Sequence, residues 1–324
     1  MLIAAAAIIV GFIILIYSAD LFVAGAAAIA ENMGMSPVII GLTIVSMGTS
    51  APEILVSLTA SFAGAGELAI GNAIGSNIAN IGLVLGITVL IAPLIVHKGT
   101  LRKEIVLLMI VTLGVGFLCL DGSLSRLDGI MMVAVLVFIL IYLTLIQSSD
   151  TSLAQEADEE PIKHLSPLRA WLTFAIGLTL LIASSKLLVW GAVTAANILG
   201  VSELVIGLTV VAVGTSLPEL AATVASAMRG HTEIALANVV GSNLFNLLAV
   251  MAIPGIIAAE QLQPAVITRD YPTMIFFTGF LVLAIYLSRK RSATPLGDAY
   301  LGRRIGSMLV SFYALYYYWL YVSI

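Results

Sequence analysis

The chain has 324 residues, 60% of them hydrophobic and 10% charged, with a mean hydropathy of +1.12. Soluble domains carry about 25% charged residues, and nearly charge-free runs of roughly 18 residues or more recur here from end to end, which excludes a soluble enzyme with one membrane tail. A net charge of −4 with scattered basic residues offers no groove for nucleic acid, and the single cysteine, Cys119, excludes an intrachain disulfide and gives no sign of zinc–thiolate or redox chemistry.

Breaks at charged or Gly/Pro/Asn-rich points predict an all-α integral membrane protein with about ten transmembrane helices, each long enough for a ~30 Å hydrocarbon core. The first, residues 2–30, has no basic leader and stays apolar beyond signal-peptide length, so it is read as a span that the mature protein keeps. The others are predicted at 36–62, 67–92, 103–120, 127–147, 168–195, 202–228, 233–258, 270–288 and 303–322. Spans one and six exceed the length of a perpendicular helix and are expected to tilt. The segment 148–167 carries Glu156, Asp158, Glu159 and Glu160 and reads as an acidic cytoplasmic linker between two halves, 1–147 and 168–324, or more sharply as a regulatory cation-binding loop.

Alternate loops hold Lys98, Arg102, Lys103, Lys163, Arg169, Arg229, Arg289, Lys290, Arg291, Arg303 and Arg304, against Arg126 and Arg269 on the other side. The positive-inside rule puts the larger set in the cytoplasm, so both termini are expected outside a prokaryotic plasma membrane.

Sliding the sequence on itself by 166 positions aligns GMSPVIIGLTIVSMGTSAPE from Gly34 with GVSELVIGLTVVAVGTSLPE from Gly200, then GNAIGSNIANIGLVLGI from Gly71 with ANVVGSNLFNLLAVMAI from Ala237. Residues 34–87 and 200–253 share 22 identities in 54 positions, more than hydrophobic bias supplies. A duplicated unit of five spans must enter the membrane in opposite senses, giving two inverted five-helix repeats, an architecture of secondary transporters with the substrate site near the midplane.

Of 18 Asp and Glu residues, Asp20, Glu53 and Glu219 fall well inside predicted spans. Carboxylates there are costly unless they face a cavity or partner. Glu53 and Glu219 close equivalent motifs, Gly48-Thr49-Ser50-Ala51-Pro52-Glu53 and Gly214-Thr215-Ser216-Leu217-Pro218-Glu219. Pro52 and Pro218 cannot donate to the carbonyls of Gly48 and Gly214, so these helix-breaking residues free backbone oxygens beside the hydroxyls of Thr49, Ser50, Thr215 and Ser216. With the two glutamates this predicts an all-oxygen cation cage suited to calcium rather than to metals that prefer His or Cys. One span later Ser76 and Asn80 share a helix face, as do Ser242 and Asn246. They could complete the cage while the neighbouring glycines allow close helix packing. Asp20 and Lys186, also 166 apart, are readable as a buried ion pair, as an ion-entry or gate site at Asp20, or as snorkelling charges.

With these motifs the chain resembles the cation/calcium antiporter superfamily, specifically its prokaryotic sodium/calcium exchangers. The resemblance runs nearly the whole length and is most specific in the two GTSxPE and two GSNxxN segments. It implies a secondary active antiporter, not an enzyme, that exchanges Ca2+ for Na+ by alternating access, with no cofactor and no protein partner. It further implies a site lined by Thr49, Ser50, Glu53, Ser76 and Asn80 from one repeat and by Thr215, Ser216, Glu219, Ser242 and Asn246 from the other. The carbonyls of Ser46 and Ala212 match family sodium positions, and spans one and six match the moving gate. The chain departs from a structurally known archaeal relative by having asparagine, not aspartate, at 246, so its cage holds two carboxylates. Proton or potassium coupling through the same glutamates is the alternative. A channel would need a continuous polar path, and an intramembrane hydrolase a histidine or second nucleophile near the glutamates; neither pattern is present in the sequence.

Overall fold

The computed structural model describes residues 1–96, 102–147, 165–199, 212–291 and 298–323. The acidic segment 148–164 and residues 202–211, the start of one predicted span, lie outside the described residues.

Among the described residues the regular structure is helical apart from two short ribbons. In chain order the helices are α1 (Leu2–Met33), α2 (Pro37–Thr49), α3 (Ala51–Phe62), α4 (Gly66–Ile91), α5 (Arg102–Leu118), α6 (Arg126–Gln147) and α7 (Pro167–Ile198). After them come α8 (Ala212–Thr215), α9 (Leu217–Met228), α10 (Thr232–Ile257), α11 (Tyr271–Arg291) and α12 (Arg303–Val322). Among the described residues seven helices are long and apolar enough to cross a membrane, or eight if α2 and α3, bent by 45° at Ser50, count as one span. The remaining long helix, α12, is 20 residues, but its tyrosines and tryptophan lower its hydropathy.

Local chemistry accounts for the breaks. Ser50 and Ser216 leave helical geometry at φ/ψ −82°/3° and −89°/6°, two residues before Pro52 and Pro218. The turns from α3 to α4 and from α9 to α10 use Gly64 and Gly230, which sit at φ +75° and +82°. There Ala65 N–H reaches Ala60 O at 2.8 Å and His231 N–H reaches Ser226 O at 2.9 Å, which closes each helix with a left-handed glycine.

Helices α4 and α10 form the centre, with 72% and 78% of their most apolar windows buried against 28–39% for the five other membrane-length helices. Their buried faces carry Ile70, Ile74, Ile78, Ile81 and Leu85, and Leu244, Leu247, Leu248 and Val250, so the outer helices are left to cover them and face lipid. Each central helix widens into a π turn, at Asn80–Leu85 and Asn246–Val250, again 166 positions apart. Such turns are rare and concentrate at functional sites.

Helices α1 and α7 pack along each other through reciprocal contacts. A Cβ on Gly11 would lie 3.1 Å from Leu188 N and one on Gly177 would lie 2.5 Å from Phe22 N, while Gly25 abuts Phe174 and Gly191 abuts Ala4. Under the offset of 166 Gly11 maps on Gly177, Phe22 on Leu188 and Gly25 on Gly191. Small residues let the two backbones approach closely. The ribbons also cross between halves: β1 (Leu94–Val96) pairs antiparallel with β4 (Ala299–Leu301), and β2 (Ser123–Leu124) with β3 (Glu260–Gln261).

Candidate functional site

The two helix breaks face each other across the centre of the protein. Ser50 Oγ, at the end of α2, donates to Glu219 Oε1 on α9 at 3.3 Å, so the serine of one motif touches the glutamate of the other. Glu53 and Glu219 are each 1% exposed. Pro52 and Pro218 place both glutamates in the first turns of α3 and α9, where the helix dipole favours negative charge.

Helix α10 supplies the wall beside α2. Thr49 Oγ1 lies 3.4 Å from Ser242 Oγ and donates to Asn238 Oδ1 at 3.2 Å, with Ser46 O a second acceptor at 3.2 Å. The approach is tight because a Cβ on Gly241 would lie 2.5 Å from Ser46 Oγ. Helix α4 meets α10 through Asn80 Nδ2, which donates to Asn243 Oδ1 at 3.1 Å. Ser46, Thr49, Ser50, Ser76, Asn80, Ser216, Ser242 and Asn246 are buried and Thr215 is half-buried. Of Ala212 the backbone is described, at the start of α8.

Backbone carbonyls near both breaks already accept hydrogen bonds. Gly214 O accepts a hydrogen bond from Ser185 Oγ of α7 at 3.1 Å, so this helix break is tied to α7 by a side chain that the sequence reading did not single out. Ser46 O accepts from Thr49 Oγ1 and from Ser50 N–H, the latter at 2.9 Å.

Several buried oxygens are left without a hydrogen-bond partner: both on the Glu53 carboxylate, Glu219 Oε2, Asn80 Oδ1, Asn246 Oδ1 and Ser216 Oγ. Buried acceptors are nearly always satisfied, and unpaired buried carboxylates cost far more than neutral groups. A positive ion among these oxygens would satisfy several at once, and an irregular all-oxygen set with two carboxylates suits Ca2+, which takes about 6–8 oxygen ligands. Among the described residues no group of three or more His, Cys, Asp or Glu could hold a metal.

The charged pair read from the repeat is not formed. Asp20 accepts from Arg229 at the end of α9, through Nε and Nη2 at 2.5 Å, while Lys186 is exposed. The offset that matches Asp20 to Lys186 places them on the antiparallel helices α1 and α7, and the nearest cation comes instead from a position whose counterpart, 166 residues earlier, is Ala63.

Sequence reasoning also passed over Asn238 and Thr223. Asn238 is fully buried between Thr49 and Thr223, whose Oγ1 receives its Nδ2 at 2.9 Å. The signal was present in the duplication, since Asn238 maps on Asn72 and Thr223 on another hydroxyl, Ser57.

Comparison with known proteins bears on the same two halves. The family model described as sodium/calcium exchanger protein matches residues 3–145 and 169–322. The chain belongs to the sodium/calcium exchanger protein family. Like other members of that family it is a transporter and not an enzyme: a multi-pass membrane protein and a cation/calcium antiporter. The exchanger chain is 45% identical over 296 residues to CaxA of Alkalimonas amylolytica, named as an antiporter, covering 90% of this chain and 92% of that one. It is 36% identical to the inner membrane protein YrbG of Escherichia coli over 329 residues, 99% of this chain and 98% of that protein. A solved structure of the sodium-calcium exchanger NCX_Mj superposes with a TM-score of 0.80 at 31% identity, covering 96% of each chain.

Proposed function

We propose that the protein exchanges Ca2+ for Na+ across a prokaryotic plasma membrane by alternating access, in the direction of calcium export. The observation that carries this reading is the pair of buried glutamates with unpartnered oxygens at two facing helix breaks. In this reading the ions are held by Glu53 and Glu219, by Thr49, Ser50, Thr215 and Ser216, by Ser76, Asn80, Ser242 and Asn246, and by the carbonyls of Ser46 and Ala212. The two ions compete for the same charges. A cage stripped of cations is costly to bury, so the protein changes face when loaded. If net charge crosses, the membrane potential contributes about 2.3 kcal/mol per elementary charge per 100 mV.

The architecture we propose is ten spans in two inverted repeats, 1–147 and 168–324, joined by the cytoplasmic linker 148–167, with both termini outside. Support comes from the reciprocal α1/α7 contacts, the crossed ribbons and the equivalent π turns. Radioactive calcium uptake into proteoliposomes tests the coupling ion. Uptake driven by internal sodium, and by neither a proton gradient nor internal potassium, is the expected result; proton-driven uptake would keep the cage and make the glutamates proton carriers.

We assign Asp20 to the gate rather than to ion entry, because Arg229 holds it at the end of a site helix. The pair is one-sided: the inverted counterpart would join Lys186 to Ala63, which carries no charge. It therefore favours one face of the transport cycle. Asp20→Asn is expected to change the ratio of calcium affinities measured from the two sides about two- to fivefold, the range of a partly exposed ion pair. The exchange Asp20→Arg with Arg229→Asp should restore it, and an unchanged ratio in Asp20→Asn would remove the assignment.

A further inference from the structure

We propose that Asn238, held by Thr223, is a positioning residue for cation binding: it takes the hydroxyl proton of Thr49 and so keeps the lone pairs of that oxygen available to the ion. This rests on the reading of Thr49 as part of the cage. A hydroxyl has one proton and two acceptor sites. Thr49 Oγ1 has two acceptors for that proton, Asn238 Oδ1 and Ser46 O, each at 3.2 Å, and lies 3.4 Å from Ser242 Oγ. Asn238 is fully buried and its amide could be seated either way round. Turned over, it would aim Nδ2 at Thr49, fill a lone pair and put a donor hydrogen against the cation. Thr223 Oγ1, also fully buried, receives Nδ2 at 2.9 Å and anchors the amide beside Thr49 with Oδ1 toward the Thr49 hydroxyl.

The arrangement belongs to one half of the molecule. In the other half Ser57, the counterpart of Thr223, gives its hydroxyl to Val250 O at 2.7 Å, and Asn72, the counterpart of Asn238, is half-buried with Nδ2 unpartnered. The duplicated motifs therefore meet the ion with unequal rigidity. The Thr49 side is set before the cation arrives, which reduces the cost of ordering at binding.

The test compares Thr223→Val, which keeps the shape and removes the acceptor, with Thr223→Ser, which keeps the hydroxyl. Equilibrium binding of radioactive calcium to the purified full-length protein in detergent is measured beside the KM and maximal rate of exchange in proteoliposomes. Thr223→Val is expected to weaken calcium binding about three- to tenfold, the weight of one buried hydrogen bond, with KM rising in step and the maximal rate kept. Thr223→Ser should restore both. Unchanged binding in Thr223→Val, or an equal loss in both variants, would overturn the proposal. If Thr223→Val does not yield monodisperse protein, Thr223→Ala carries the same comparison. Glu53→Gln, measured in parallel, separates the two readings: if it too leaves calcium binding intact, the cage itself is misassigned, whereas its loss beside a normal Thr223→Val refutes the positioning role alone.

Discussion

Glu53→Gln and Glu219→Gln are each expected to lower calcium exchange by more than about a hundredfold. Glutamine keeps the size of glutamate and can still accept from Ser50 at position 219, so the change removes charge and little else. At an effective dielectric of about 20, one unit charge about 4 Å from another contributes about 4 kcal/mol, and a divalent ion doubles it. Even after allowing for the lower cost of burying an amide, two decades of affinity are lost. The stability of the ion-free protein should move the other way, because each variant removes a buried charge from an uncompensated pair. Proteoliposome uptake checks the first expectation and thermal melting without calcium the second; full exchange activity in either variant would sink the site.

Gly25→Leu is expected to prevent assembly of the α1/α7 pair. A Cβ at Gly25 would run into the backbone of Phe174, and on the facing helix a Cβ at Gly177 would sit 2.7 Å from Phe22 Cα. Backbone cannot swing aside as a side-chain tip can, so the helices must separate along their whole contact. The milder Gly177→Ala should cost about 1–3 kcal/mol, the range for overpacking a well-filled interface. Gly114, exposed on α5 with nothing near its missing Cβ, is the control, and Gly114→Ala should be neutral or slightly stabilising through helix propensity. Yield of monodisperse protein and apparent melting temperature are the readouts, and equal behaviour of Gly25→Leu and Gly114→Ala would show that the close approach carries no weight.

Much of the candidate site could be read from the sequence because its residue types are conspicuous in lipid. A glutamate after Thr-Ser-x-Pro in an apolar run has few structural uses, and finding it twice at one offset locates both breaks, which the structure places at Ser50 and Ser216. The π turns at Asn80 and Asn246 were not legible, since the surrounding Gly-Ser-Asn stretch has no periodicity from which an extra residue per turn could be read. The ribbons at Leu94–Val96 and Ser123–Leu124 escaped for a related reason: two or three residues cannot show an alternation. Of the readings of Asp20, the ion pair with Lys186 is not formed, because side chains pair by proximity, which here selects Arg229. Asn238 was visible in the alignment but not as chemistry. Its importance comes from standing between two hydroxyls on different helices, α2 and α9, and only folding brings these together.

The crossed ribbons set a timetable for biogenesis. Leu94 pairs with Leu301, which the ribosome adds 207 residues later. At about 5–20 residues per second that is a wait of roughly 10–40 s. Throughout it the leading half sits in the bilayer with an open strand edge and with Ser50 still lacking its partner Glu219 on α9. A duplicated sequence invites the view that each half matures by itself. The pairing of strands between halves means instead that the first half's ribbon edge is completed only after Ala299–Leu301 has been made.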